Sequence, residues 1–451
     1  MQVMKFGGTS VRDAAHMARV AEIVAAARAR RPLVVVSAMA GTTDALLQAA
    51  AEAGRGRLAA AESLFRAQRQ QHLAAARGLA APGELPALER ALSAECDQLE
   101  ALARSVATLR ELSPRSQDAL VAFGERLSSS LVAAALRARS LPGVRVDAAE
   151  CVLTDDQFGA AAPDRVGTRS RSRQRLLPLL EQGHIPVTQG FLGATADGVP
   201  TTLGRGGSDY SAALLGAALD AEVIEIWTDV DGLMTADPRV VPGARRIPVA
   251  SFAEAAELAY FGAKVLHPAT VLPAVERGIP VEIRNTGKPD CEGTRIVPRA
   301  PAAAGPVKSI AFKRGITLVN VTSTRMLLAF GFLRALFEVF DRHRTSVDVV
   351  TTSEVSVSMT VDRTEALADI RRDLEGFGQV AVETGQAIVS VVGEALKSRP
   401  GVAARVFSAL GPLEVRMISQ GASEINLTFV LAEAQVEDAV RRLHAEFFPP
   451  A

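Results

Sequence analysis

The chain has 451 residues with 50 basic and 50 acidic side chains, so its formal net charge is zero. This balance argues against a generally basic nucleic-acid binder, and an aromatic content of 4% argues against stacking platforms for single strands. Hydrophobic residues make up 48% and charged residues 22%, which is typical of a globular protein with two to four domains at roughly 100–200 residues per domain.

Cysteine usage and hydropathy set further limits. The spacings of Cys96, Cys151 and Cys291 suggest neither a metal site nor a disulfide framework. The chain starts in a strand-like segment, 2–6, without the apolar core of a signal peptide, and no uncharged apolar stretch reaches about 18 residues. We therefore expect a soluble, cytoplasmic protein that binds neither nucleic acid nor a membrane.

Strand and helix patterns alternate from residue 1 to about 297, which predicts an α/β fold with a largely parallel sheet sandwiched by helices. One predicted strand, 33–36, is a continuous apolar run, as expected of a strand covered on both faces. The other predicted strands are 2–6, 222–227 and 280–284. Residues from about 45 to 140 are rich in Ala, Leu, Arg and Glu with few turn signals, and we expect a helical insertion there.

A Pro- and Ala-rich stretch, 298–306, predicts a linker to a different kind of domain. Beyond it the sequence contains an internal repeat. At an offset of 70 residues, one set of residues matches a second set: Gly331, Phe337, Ser353 and Glu354 against Gly401, Phe407, Ser423 and Glu424. In each copy a glycine precedes a helical pattern and a Ser-Glu pair precedes an alternating strand, which predicts a duplicated β/α module.

Two glycine-rich loops stand between a predicted strand and a predicted helix. The first, 5–11, combines two glycines with Lys5 and a Thr-Ser pair, a pattern that favours an anion at the start of the helix. The second, 201–211, places Gly-Arg-Gly-Gly before Ser208 and Asp209. The alternatives are an ordinary turn for the first loop and a helix cap for Asp209. Neither loop is a P-loop or a complete dinucleotide motif.

Six segments together resemble the signature of the aspartate kinase family. They occur in the family's order along nearly the whole chain: 5–11, 124–129, 201–209, 227–232, 237–239 and 261–268. Residues 332–333 and 346–355 resemble the first regulatory ACT module of that family, and the monofunctional, lysine-sensitive subgroup is the most similar.

The resemblance implies the amino-acid-kinase fold followed by two α+β, ferredoxin-like ACT modules. We expect the catalytic domain at 1–297, the first ACT module at 307–385 with about 430–451, and the second ACT module at 386–430.

The resemblance also implies ATP-dependent phosphorylation of the L-aspartate β-carboxylate, the first step toward lysine, threonine and methionine. With a pKa of about 3.9 this acceptor is already ionised at neutral pH, so the reaction needs positioning and charge neutralisation, not a general base. By resemblance, Lys5, Asp209 and Lys264 are catalytic, and Asp209 helps to organise Mg²⁺. Gly7 and Gly8 would contribute backbone amides, and Met234 stands where relatives commonly carry a tyrosine. The implied ATP-binding residues are Lys5, Gly7, Gly8, Thr228, Asp229, Met234, Asp237, Arg239 and Lys264.

An amino-acid substrate needs a cation for its α-carboxylate and an anion for its α-ammonium group. Arg205 suits the first and Glu125 the second. Alternatively, Glu125 and Arg126 form a surface ion pair on a helix. The other substrate-binding residues implied by the resemblance are Ser37, Thr43, Phe191 and Ser208, although Phe191 could instead be a core residue.

The ACT modules imply an amino-acid effector, with lysine expected, and a homo-oligomer, a dimer at minimum. Asp348 and Glu354 suit an amino group, and the amides after Gly331 suit a carboxylate, unless these are only strand-end and cap residues. Leu328, Ala329 and Phe330 are more apolar than in lysine-sensitive relatives, which leaves the effector's identity open. The implied effector-binding residues are Met326, Gly331, Phe332, Leu333, Ser346, Val347, Asp348, Thr352, Ser353 and Glu354.

Two other functions compete with an aspartate kinase. One is another acid or carbamate kinase on the same fold, such as one acting on glutamate or acetylglutamate, and the other is a non-catalytic amino-acid sensor. The presence of Lys5, Arg205 and Asp209 favours a catalyst over a sensor.

Overall fold

A computed structural model describes residues 1–261, 268–301, 305–327, 329–421 and 423–449. The chain divides into two compact units. The first unit consists of Met1–Leu233, Pro248–Phe252 and Val265–Ala300, and the second of Met234–Ile247, Ala253–Lys264 and Pro301–Ala451.

The first unit is built on an eight-stranded sheet with a small separate hairpin. Its strands are β1 (Gln2–Phe6), β2 (Pro32–Val36), β3 (Gly143–Val146), β4 (Ile185–Gln189), β5 (Leu192–Ala194), β6 (Pro200–Thr202), β7 (Val223–Thr228), β8 (Val249–Ser251), β9 (Val281–Asn285) and β10 (Thr294–Val297). The order in the sheet is β3-β4-β2-β1-β7-β9-β10-β8, and β5 pairs with β6. Only the β9–β10 pair of the large sheet is antiparallel, so the prediction of a largely parallel sheet is confirmed.

Helices cover this sheet, and the predicted insertion at about 45–140 is helical throughout. The helices up to residue 276 are α1 (Ala14–Ala26), α2 (Thr42–Gly54), α3 (Leu58–Leu79), α4 (Leu85–Leu109), α5 (Pro114–Val121), α6 (Phe123–Ala138), α7 (Arg165–Glu181), α8 (Gly207–Ala218), α9 (Phe252–Tyr260) and α10 (Leu272–Glu276). Among the described residues, one stretch, 114–138, is long and apolar enough to cross a membrane. Because 83% of its apolar window is buried inside the fold, it is a core segment.

The core of the first unit lies between the sheet and helices α1, α3, α4 and α6. Met4 and Phe6 from β1 pack there with Met17 of α1 and Leu131 of α6, all fully buried. Burial of each such side chain contributes about 1.5–3 kcal/mol. Phe6 also stacks on Trp227, which is buried. This packing fixes β1, β2, β4, β7 and β9 in parallel, so the loops after them share one edge of the sheet.

The second unit contains a six-stranded antiparallel sheet, ordered β12-β13-β11-β14-β16-β15, and four further helices. Its strands are β11 (Ser309–Thr322), β12 (Val350–Thr352), β13 (Ser356–Val361), β14 (Gln379–Val392), β15 (Val415–Gln420) and β16 (Asn426–Ala432). Its helices are α11 (Phe332–Arg342), α12 (Leu367–Glu375), α13 (Val402–Leu410) and α14 (Val436–Phe447).

The structure confirms the internal repeat. Strands β11 and β14 coincide at the 70-residue offset, as do the starts of α11 and α13. Gly331 and Gly401 each precede their helix with a positive φ, 79° and 83°, a conformation that favours glycine.

The module boundaries differ from those predicted. Strands β11 and β14 each run through both modules: 309–313 pairs with 388–392, and 316–322 pairs with 379–386. Helix α14 buries Val440 and Leu443 with Phe429 in the core of the second module, so residues 430–449 belong there and not to the first module.

The boundary of the catalytic domain also differs. Residues 234–247 and most of α9 fall within the predicted range 1–297, yet they pack with the second unit. Val240 and Val241 join the same apolar core as Phe429, which explains why residues 234–247 group with the C-terminal modules.

Candidate active site

The loops after β1, β2 and β4 line a cavity of about 700 Å³, together with α2, α5, α6 and the start of α8. We call it the first cavity. It brings together nine of the predicted residues: Lys5, Gly8, Ser37, Thr43, Glu125, Phe191, Arg205, Ser208 and Asp209.

Lys5 and Asp209 form an ion pair at this cavity. Lys5 lies at the end of β1 and Asp209 in the first turn of α8, and Lys5 Nζ is 2.6 Å from Asp209 Oδ1. Their side chains are only 11% and 15% exposed, so each charge is poorly solvated without the other. The pair therefore places one cation and one anion side by side at the wall of the cavity.

The start of α8 approaches the β4–β5 turn closely. A Cβ atom on Gly190 would lie 2.7 Å from Ser208 Cβ, and one on Gly207 would lie 2.6 Å from Phe191 Cδ2, so only glycine fits at both positions. Phe191 has a φ of 67°, unusual for a bulky residue, and its N–H donates to Ser211 Oγ. Phe191 lines the cavity and also packs, partly buried, against the neighbouring apolar clusters.

Glu125 is a buried carboxylate with one unpaired oxygen. It lies on α6, 3% exposed, and its Oε1 accepts a hydrogen bond from the Ala38 N–H at 3.2 Å. Its Oε2 has no hydrogen-bond partner among the described residues. Burial raises the pKa of Glu125 to about 8. The alternative of a surface ion pair with Arg126 is wrong, because Glu125 is buried and Arg126 lies beside Glu95 instead.

Arg205 is exposed at the mouth of the same cavity. Gly204 and Gly206 flank it with φ of 74° and 72°, so the loop turns sharply on both sides of the arginine. Within the part of the chain that the structure describes, its guanidinium makes no ion pair. Arg205 is therefore available to a carboxylate ligand.

A second cavity of about 450 Å³ lies across β1 from the first, at the ends of β1, β7 and β9. Two predicted ATP-binding residues, Thr228 and Asp229, line it. Ser10 Oγ and Thr286 Oγ1 lie 2.7 Å apart and tie two of its loops together. Its basic lining residues are Arg12, His16 and Arg19, in and just before α1. They were not predicted, because charged residues on one face of a helix are usually only solvated.

The remaining predicted ATP-binding residues are not all placed as expected. The Gly7 N–H donates to the Trp227 carbonyl at 3.1 Å. This amide is therefore already hydrogen-bonded, contrary to the prediction that it is offered to a phosphate. Met234, Asp237 and Arg239 belong to the second unit. There the Arg239 guanidinium bonds the Asp237 carboxylate and holds the pKa of Asp237 below its usual range. Lys264 lies outside the described residues.

The donor chemistry fits a magnesium ion that arrives with a nucleotide. Among the described residues, no three His, Cys, Asp or Glu side chains are grouped so as to hold a metal. Mg²⁺ commonly binds through one or two carboxylates together with substrate phosphates, and Asp209 is suitably placed to be such a carboxylate.

The predicted effector residues lie around the start of α11 and the strand β12 in the second unit. Met326, Phe332 and Val347 pack against the core of the first module. The exposed members of the set are Gly331, Leu333, Ser346, Thr352, Ser353 and Glu354. Leu328 lies outside the described residues.

Asp348, the predicted partner of an amino group, is already paired. Its side chain is 4% exposed, with Lys313 Nζ 3.0 Å from Oδ2. The Tyr260 hydroxyl donates to Oδ1 at 2.5 Å, and burial together with this bond raises the pKa of Tyr260. Lys313 also contacts Asp362 at 2.9 Å. An effector amino group at Asp348 would therefore compete with two protein donors.

Comparison with known proteins decides the family. Residues 1–285 match the amino acid kinase family, and residues 389–447 match the ACT domain. Lysine-sensitive aspartokinase 3 of Escherichia coli K12 is 40% identical over 462 residues, covering 99% of both chains. The chain belongs to the aspartokinase family. It is therefore a kinase with an ACT-type regulatory region, and the predicted family, fold class and enzyme class are confirmed.

Further relatives of this aspartokinase agree. The chloroplastic aspartokinase 3 of Arabidopsis thaliana is 38% identical and covers 99% of this chain and 81% of its own. Two crystal structures of E. coli aspartokinase III have a TM-score of 0.84 at 39% identity. One holds lysine and aspartate in the T-state and covers 99% of both chains. The other holds aspartate and ADP in the R-state and covers 99% of this chain and all of its own.

Proposed function

We propose that the enzyme transfers the γ-phosphoryl group of ATP to the β-carboxylate of L-aspartate bound in the first cavity, under feedback control by lysine. One observation carries the proposal. Within the described part of the chain, a single cavity holds a buried carboxylate with an unpaired oxygen, a guanidinium that makes no ion pair and a Lys–Asp ion pair, contributed by Glu125, Arg205, Lys5 and Asp209.

The α-substituents of aspartate are matched by opposite charges in this cavity. The α-ammonium group binds the unpaired Oε2 of Glu125, which supplies the hydrogen bond that this oxygen lacks. The α-carboxylate binds the Arg205 guanidinium, whose planar fork suits a bidentate contact. Ser37, Thr43 and Ser208 supply hydroxyl groups around the substrate.

The reaction needs no proton transfer. A β-carboxylate oxygen forms a bond to the γ-phosphorus, and the bond to the β–γ bridging oxygen breaks, so the electron pair leaves with ADP. Lys5 neutralises charge on the phosphoryl oxygens, and Asp209 orients Lys5 through their 2.6 Å contact. Mg²⁺ bound with the nucleotide supplies further neutralisation, with Asp209 as the residue that would hold it.

The nucleotide approaches from the side of the second cavity. The loop 7–10 after β1 separates the two cavities, and Gly8 faces the first while Thr9 and Ser10 face the second. Thr228 and Asp229 line the second cavity, so acceptor and donor meet across the end of β1.

We further propose that lysine binds in the first ACT module and that this cytoplasmic enzyme is a homo-oligomer through its ACT modules. Leu327, Phe330 and Leu333 lie at the start of α11 and are 53%, 104% and 39% exposed. Such apolar exposure beside the effector residues suits a contact between two copies. Light scattering with and without lysine tests the oligomer; a monomer under both conditions contradicts it.

Trapping of aspartyl phosphate as its hydroxamate tests the proposed reaction. We expect ATP- and Mg²⁺-dependent product with aspartate, little with glutamate, and suppression by lysine. Arg205→Ala should raise the KM for aspartate at least about tenfold, because a charged hydrogen-bond donor is lost. Arg104→Ala, on the exposed face of α4, is the matched control and should behave like the wild type. No hydroxamate from folded enzyme would contradict the reaction, while product insensitive to lysine would contradict only the effector.

A further inference from the structure

Asp118 is a buried carboxylate that the predicted site did not include. It lies on α5, is 2% exposed and lines the first cavity. Three hydrogen bonds reach its oxygens: from the Thr202 N–H at 2.8 Å, the Thr202 hydroxyl at 2.8 Å and the Gly159 N–H at 2.9 Å. Burial of a carboxylate without hydrogen-bond partners is costly, so Asp118 is stable only where all three donors reach it. These donors therefore fix the position of its side chain.

Both hydrogen-bond partners of Asp118 adjoin the loop that carries Arg205, one along the chain and the other in space. Thr202 ends β6, two residues before Gly204. The Gly159 carbonyl lies 3.3 Å from the place where a Cβ on Gly204 would stand. Asp118 therefore fixes both the strand that leads into the loop and the backbone that supports the loop from behind.

The same helical segment carries the opposite end of the substrate site. Helix α5 ends at Val121 and α6 begins at Phe123, so Asp118 and Glu125 are joined by a short, almost continuous helical path. One end of this path holds the Arg205 loop and the other presents the Glu125 carboxylate.

We infer that Asp118 is a positioning residue that sets the spacing between the Arg205 and Glu125 sites, and thereby the discrimination between aspartate and longer acidic amino acids. The inference rests on the proposed function, in which these two residues bind the α-substituents of the substrate. Asp118 acts through Arg205 and does not touch the reacting atoms.

Two substitutions separate positioning from general stability. Asp118→Ala removes all three hydrogen bonds. Asp118→Asn keeps an oxygen for the two backbone N–H groups and offers an amide to the Thr202 hydroxyl, which can act as an acceptor. Asp164→Ala is the control, since Asp164 also accepts two backbone N–H bonds but is exposed at the start of α7.

The measurement is the KM for aspartate and for ATP, the kcat, and the ratio of kcat/KM for aspartate over glutamate. For Asp118→Ala we expect the KM for aspartate to rise about 10-fold to 100-fold and the ratio to fall, with the KM for ATP unchanged. Asp118→Asn should recover most of both quantities, and Asp164→Ala should change neither.

The opposite result is equally clear. Wild-type KM for aspartate and wild-type selectivity in Asp118→Ala would overturn the inference. Equal rises in both KM values would also overturn it, because they indicate a structural role alone. Should Asp118→Ala fail to fold, Thr202→Val replaces it as the test, because it removes the hydroxyl bond to Asp118 and keeps the backbone bond. A raised KM for aspartate with a lower ratio in Thr202→Val supports positioning, and wild-type values of both overturn the inference. Failure of the wild type to form aspartyl phosphate would instead contradict the proposed function.

Discussion

Glu125 combines two properties that seldom coexist, deep burial and an unpaired oxygen. A carboxyl group in this environment prefers its neutral form, and burial accordingly raises the pKa of Glu125 to about 8. An ammonium group next to Oε2 favours the ionised form. Binding of aspartate should therefore be coupled to loss of a proton from the enzyme at neutral pH.

This coupling can be measured by calorimetry in buffers of different ionisation enthalpy. With a pKa of about 8, close to one proton should be released on aspartate binding at pH 7 and clearly less at pH 8.5. Glu125→Gln should bind aspartate at least about tenfold more weakly and release no proton. Proton release that is the same at both pH values would contradict this role of Glu125.

The same pKa shift makes Glu125 a liability for stability. Because the folded state holds its proton to higher pH than the unfolded chain, the free energy of unfolding falls as pH rises from about 4.5 to about 8. The Tm of Glu125→Gln should therefore exceed that of the wild type at pH 8 or above and match it below pH 4.5. A lower Tm for Glu125→Gln at pH 8 would refute the argument.

Among the elements, α9 shows a regular set of polar contacts with the ACT modules of the second unit. At intervals of three residues, Glu254 pairs with Lys308, Glu257 accepts from Asn426, and Tyr260 donates to Asp348, each within 2.9 Å. The last of these contacts involves the proposed partner of the effector amino group. In the proposal that the effector amino group binds Asp348, it competes with Tyr260 of α9 for one carboxylate, so effector binding and release of α9 would be linked.

Tyr260→Phe separates binding from inhibition. The substitution frees Asp348 Oδ1, so lysine should bind more tightly, by about 2-fold to 10-fold for one competing hydrogen bond. The contact that lysine would break is already absent, so inhibition at saturating lysine should be weaker. Titration calorimetry and the hydroxamate assay give the two quantities.

Glu257→Gln is the control on the same helix, because it alters the contact with Asn426 and leaves Asp348 untouched. Its lysine affinity should equal that of the wild type. A Tyr260→Phe enzyme that binds lysine and is inhibited like the wild type would refute the link.

How far the sequence predicts an element depends on where its partners lie. Strands β1, β2, β7 and β9 were predicted within about one residue. For β2 the reason is its continuous apolar run, which indicates burial between helices. The pairing of β11 with β14 was not predicted. The two repeat copies have the same sequence pattern, and this pattern does not show which strand of one copy pairs with which strand of the other. Asp118 was missed for a similar reason: its three donors come from distant parts of the chain.

For the whole molecule, part of the predicted catalytic range, residues 234–247, belongs to the same compact unit as the ACT modules. All residues that line the first cavity belong to the first unit. The predicted nucleotide residues are divided, with Thr228 and Asp229 in the first unit and 234–239 in the second. Val240 and Val241, which follow that segment, are part of the core formed by the second ACT module. A loss of stability in this core should therefore raise the KM for ATP and leave the KM for aspartate unchanged.

Phe429→Ala tests this division. Phe429 is fully buried in that core, so truncation should cost about 3–5 kcal/mol and lower the Tm of the second unit. We expect a higher KM for ATP, an unchanged KM for aspartate, and loss of lysine sensitivity, because β11 and β14 run through both modules. Leu99→Ala, a buried substitution in α4 of the first unit, is the matched control and should lower the Tm without altering the KM for ATP. If Phe429→Ala lowers the Tm and shifts both KM values equally, the nucleotide residues do not depend on the ACT core.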